Sequence, residues 1–61
     1  MDRETIILRA YQEARFAARE KGLVGSGVQR AVLQAAAKVA SRLLNENIAP
    51  EEVHETVAAC G

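Results

Sequence analysis

Residues 27–45, GVQRAVLQAAAKVASRLLN, decide the fold. At about 100° per residue, Val28, Val32, Ala35, Ala36, Val39 and Leu43 fall along one seam. Leu33, Ala40 and Leu44 widen that seam on one side, while Arg30, Gln34, Lys38, Ser41 and Asn45 make a polar face opposite. This is an amphipathic helix whose apolar face takes up nearly half the circumference. A single neighbouring helix does not cover such a face.

Upstream, Gly22-Leu23-Val24-Gly25-Ser26-Gly27 is the glycine-rich segment and reads as the turn into that helix. Ser26 with Gln29 three residues on has the spacing of a capping box. Before the turn, residues 2–21 read as a first helix. Asp2 is its N-cap, Glu4 complements the N-terminal partial charge, and Met1 with Ile6 has staple spacing. Ile6, Ile7, Ala10, Tyr11, Ala14, Ala17 and Ala18 share one face. Lys21 followed by Gly22 is a stop signal, with Leu23 placed to fold back on Ala18 in a Schellman end.

Downstream, Asn45-Glu46-Asn47 breaks the second helix, because Asn tolerates the left-handed conformation. Pro50 then suits the first position of a short third helix over 50–60. Glu51 and Glu52 lie in its first turn, Ile48 and Val53 staple around an Ala49 cap, and Val53, Val57 and Cys60 form a narrow apolar stripe. A helix this short is marginal alone and must dock on something.

The expected fold is therefore all-α: one small helical domain over 1–61, an antiparallel hairpin of helices 2–21 and 27–45, and a short third helix over 50–60. Twelve of its 61 residues are Ala, which leaves few bulky core side chains. Near this length the crude balance of burial against chain entropy comes out close to zero. Neither a disulfide framework nor a metal cluster is on offer, so the expectation is a homodimeric helical bundle, self-associating through Val28, Val32, Leu33, Val39, Leu43 and Leu44.

Eight Lys/Arg balance eight Asp/Glu, which argues against a generic nucleic-acid binder. The charges are nonetheless segregated. All eight cations lie before residue 45 against four acids there, whereas Glu46, Glu51, Glu52 and Glu55 follow with no cation. No apolar run approaches the ~18 residues of a bilayer span, and Met-Asp-Arg-Glu does not open a secretory signal. A cytoplasmic protein with no membrane partner is expected.

Chemistry is sparse. The single His54 and the single Cys60 lie on different faces of one helix, out of reach for a nucleophile pair, and no metal-ligand spacing occurs. Neither catalytic residues nor a cofactor or metal is expected, and the protein is read as no enzyme. Gly25, Ser26, Gly27 and Arg30, at a helix N-terminus, form a speculative anion or nucleotide site, without the strand or the Gly-Lys-Ser/Thr of a nucleotide fingerprint. The basic faces of helices 1 and 2, with Arg15, Arg19, Arg30, Lys38 and Arg42, suggest nucleic acid as an alternative partner. The residue that stands out is Phe16, opposite the core face of helix 1 among Gln12, Arg19 and Glu20. Exposed aromatic and Arg side chains together are the raw material of protein interfaces. Leu8, Gln12, Arg15, Phe16 and Arg19 are thus the expected contacts for an unidentified protein, with Glu51, Glu52 and Glu55 as a second patch. The reading is a homodimeric regulator, adaptor or inhibitor of a larger protein, of a kind that phages and mobile elements encode.

Overall fold

The computed structural model describes residues 2–60. Among them are three helices and no strand: α1 (Arg3–Glu20), α2 (Val28–Leu44) and α3 (Pro50–Cys60). The predicted elements are all present, with ends displaced by one residue at most.

Local chemistry sets most of those ends. The Asp2 carboxylate accepts the Thr5 N–H at 2.9 Å and so caps α1; the Met1 half of the staple lies outside the described residues. At the other end, Gly22 takes φ 73°. The Gly22 N–H reaches the Arg19 carbonyl and the Leu23 N–H reaches that of Ala18, both at 3.0 Å, completing the Schellman motif. Asn45 ends α2 in the left-handed conformation at φ 54°, and the Glu46 N–H closes back on the Ser41 carbonyl at 3.1 Å. The Ala49 carbonyl opens α3 by accepting from Glu52 at 3.0 Å.

The start of α2 departs from expectation. Gly27, not Ser26, holds the cap position, with φ −83° and ψ −8°, and no side chain caps the helix. The Val28 N–H is taken by the Gly25 carbonyl at 3.3 Å, so the turn winds one residue further before the helix begins. Ser26 therefore sits a residue too early to close a box with Gln29.

The arrangement α1–α2 is an antiparallel hairpin: Arg3, at the start of α1, meets Glu46, just past the end of α2. Its seam is built of alanines. Ala10, Ala36 and Ala40 are fully buried and Ala18 and Ala37 nearly so, while Ile7 and Val53 are the largest side chains wholly withdrawn from water. Tyr11, Ala14, Leu33, Val39, Leu44 and Val57 pack around this centre. Small side chains across the seam allow helix axes at the near end of the usual ~8–10 Å.

Four placements correct the helical-wheel reading. On α1, Ala17 is exposed rather than part of the core face. On α2, the buried line runs through Val32, Ala36, Ala37 and Ala40, leaving Ala35 and Leu43 outside. Leu43 is 59% exposed. The reason is α3, which folds back within the same chain onto the Ala37 side of α2 and shifts the core centre toward itself. On α3 the apolar stripe ends at Val57, since Cys60 is exposed.

Ser41, expected on the outer polar face, is half-buried and ties the α2–α3 loop to α2. Its Oγ accepts the Ile48 N–H at 2.9 Å and donates to the Ile48 carbonyl at 3.3 Å. That satisfies two loop groups which would otherwise be costly beside a buried Ile48. The chain is compact in consequence, with a radius of gyration of 10.9 Å against about 10.5 Å for a globule of this length.

Candidate partner-binding surface

The charge segregation seen in the sequence is joined within the chain at one point. The Arg3 Nε lies 3.1 Å from Glu46 Oε1, and its Nη1 pairs with Glu52 Oε2. One guanidinium thus clasps the first turn of α1, the α2–α3 loop and the first turn of α3. These two carboxylates, Glu52 foremost, hold the Arg3 pKa above its ordinary value. Glu52, expected as part of an outward acidic patch with Glu51 and Glu55, faces Arg3 instead and is half-buried. Its two neighbours remain exposed.

Phe16 stands on the solvent side of α1, 64% exposed. Shallow depressions flank its ring, one walled by Arg9, Gln12 and Glu13 and the other by Gln12, Arg15 and Arg19. The structure thus brings four of the five expected α1 contacts, Gln12, Arg15, Phe16 and Arg19, into one exposed surface. Leu8 is half-buried on the flank of that helix. Arg15 reaches over the Tyr11 ring with its guanidinium carbon 5.8 Å from the centroid, near the ~6 Å limit of a cation–π contact. Tyr11 and Arg15 line one bank of a groove at the hairpin end, and Val28 and Leu23 line the other.

The residues expected for self-association divide. Val32 belongs to the chain's own core, Leu33, Val39 and Leu44 pack half-buried against that core, and Val28 is half-buried at the start of α2. Leu43 alone of the six is largely open to water.

Ser26 and Arg30, from the speculative anion site, line a groove between α2 and α3 whose far wall carries Glu51, His54 and Glu55. Three titratable groups of α3, two of them acids, therefore face the cation that would hold an anion. Gly25 and Gly27 sit in the turn itself, where the Gly25 and Gly27 carbonyls accept from Val28 and Ala31. His54 and Cys60 are both exposed. Among the described residues no group of three His, Cys, Asp or Glu side chains stands close enough to hold a metal ion, and no helix is long and apolar enough to cross a membrane.

Sequence reading missed Arg3, whose partners lie 43 and 49 positions away with no local signal. It also passed over the Tyr11–Arg15 contact, which the i, i+4 spacing announces.

No protein-family model matches the chain, and comparison with curated proteins and with solved structures returns no significant match.

Proposed function

We propose that this chain is a small non-enzymatic protein–protein interaction module of the cytoplasm, acting as a homodimeric regulator, adaptor or inhibitor of a larger protein. What supports this reading is Phe16: a large aromatic side chain held in water by a well-capped helix, bracketed by Arg15, Arg19 and Gln12. Aromatic anchors ringed by Arg recur as the energetic centres of interfaces, and their truncation typically costs ~2 kcal/mol or more of binding.

Quantitative affinity capture with the full chain tests it, using Phe16→Ala and a double Arg30→Ala/Lys38→Ala variant as arms. A protein partner retained by the double variant and reduced more than about tenfold by Phe16→Ala is the expected result. Capture indifferent to Phe16→Ala overturns the reading. Salt-sensitive retention of nucleic acid, lost only in the double variant, supports the nucleic-acid alternative in its place.

A further inference from the structure

One flank of the hairpin is left without a neighbour. α3 lies along the Ala37 and Ser41 side of α2, fastened there by Ile48 and by the Arg3 clasp. On the other flank Tyr11 and Arg15 face Val28 across a groove. Val39 lies 11 positions beyond Val28 on the same side of α2, and Leu43 continues that edge. On α1, Glu4, Leu8, Tyr11 and Arg15 stand at i, i+4, i+7 and i+11, one continuous stripe. Leu8, Tyr11 and Val39 are half-buried and Leu43 is open. The surface is thus an apolar band with an acid at one end and a cation at the other.

That order is self-complementary. Lay a second α1 antiparallel across the first and the Leu8 of each copy meets the Tyr11 of the other, while each Glu4 meets the opposite Arg15. Both ion pairs form at once, as a two-fold axis requires. Among the described residues neither Glu4 nor Arg15 is engaged in an intrachain ion pair. The surface area agrees with an uncovered interface. The chain exposes 4482 Å², whereas a monomeric protein of this mass exposes about 3900 Å². The excess, roughly 600 Å², approaches the ~800 Å² that each partner of a standard interface buries.

We infer that a second copy of this chain docks on this flank, with α1 antiparallel to α1 and with Glu4 of each copy paired to Arg15 of the other. The inference rests on the dimeric part of the proposed function and assigns it a register. It also sets two surfaces side by side on α1, with Arg15 on the border of both: the Leu8–Tyr11 stripe holds the twin, and Phe16, about 100° further round the helix from Arg15, stays free for a different protein.

Sedimentation velocity and light scattering of the full chain between about 1 and 100 µM read the outcome, with circular dichroism to verify folding of each variant. The wild-type chain is a dimer. Glu4→Arg alone, or Arg15→Glu alone, sets like charges against each other twice per dimer and weakens association by about tenfold. The combined Glu4→Arg/Arg15→Glu variant reverses both ends of every pair and returns to within about threefold of wild type. A dimer that ignores the single reversals, or that the combined variant fails to rescue, overturns this register while leaving a dimeric module standing. A wild-type chain that stays monomeric at the top concentration overturns the pairing and the dimeric reading together.

Discussion

The Ser41 hydroxyl and the Ile48 backbone exchange two hydrogen bonds across seven residues, Oγ accepting at 2.9 Å and donating at 3.3 Å. This pair fixes where the chain turns back after α2, and so where α3 lands. Ser41→Ala leaves the Ile48 N–H and C=O without their partner at a half-buried site, a loss of ~1–3 kcal/mol. Urea unfolding should register that loss, and the Ile48 amide should lose protection from hydrogen exchange ahead of the α1 amides.

Gly22 and Gly27 give a matched comparison, since a Cβ at either position meets nothing within 4 Å. Only backbone conformation separates them. Gly22→Ala forces an L-residue to hold φ 73°, a cost of ~1–2 kcal/mol. Gly27→Asp fits the existing φ of −83° and brings an acid to the start of α2, whose first turn has none. It should stabilise by ~0.5–1 kcal/mol through the helix dipole and a less flexible unfolded chain. Thermal melts should therefore move in opposite directions, by about 4–8 °C per kcal/mol in a domain this small.

Acid should reveal the α1 cap. The hydrogen bonds from Thr5 hold the Asp2 carboxyl below its ordinary value of 3.8. A depressed folded-state pKa contributes stability above the unfolded value, and that contribution disappears as pH falls through the lower folded value. Asp2→Ala should thus lower the melting temperature at pH 7 and converge on wild type by about pH 2. A gap that stays constant with pH would mean that the carboxylate charge has no part in the cap.

The Arg3 clasp should respond to salt. Both its ion pairs are partly open to solvent, so screening by ~0.5 M NaCl, where the Debye length is about 4 Å, should remove much of their benefit. Arg3→Gln is expected to melt below wild type at low ionic strength, with the difference narrowing as salt rises. Equal differences at both salt levels would locate the effect in the aliphatic stem of Arg3 instead.

The contrast among these sites explains how far the sequence could be read. Asp2, Gly22, Asn45 and Pro50 act through neighbours within a few positions, and each marked its helix end correctly. Ser26 failed because a one-residue difference in turn winding, invisible in composition, moved the cap to Gly27. The run Ala35-Ala36-Ala37 carries no size contrast, so periodicity could not say which of the three faces inward; the arrival of α3 decides it. Ser41 and Arg3 were illegible for another reason, since a hydroxyl or a guanidinium on a helix wheel looks solvated until a distant segment reaches it. For the candidate surface, Phe16 was evident as an apolar residue on a polar face. The Glu4-to-Arg15 stripe was hidden because its value depends on knowing which flank of the hairpin α3 leaves open.

The alanine seam bears on how this chain can drift over generations. Where Ala10, Ala36 and Ala40 touch, there is no slack for a longer side chain, and any bulkier replacement drives the two rods apart like a wedge. At those three points only the smallest residues let the helices stay together. Exposed positions away from Phe16 and the Leu8–Tyr11 flank, Gln34 and Ala59 among them, carry no such constraint and can change while the zipped centre stays the same.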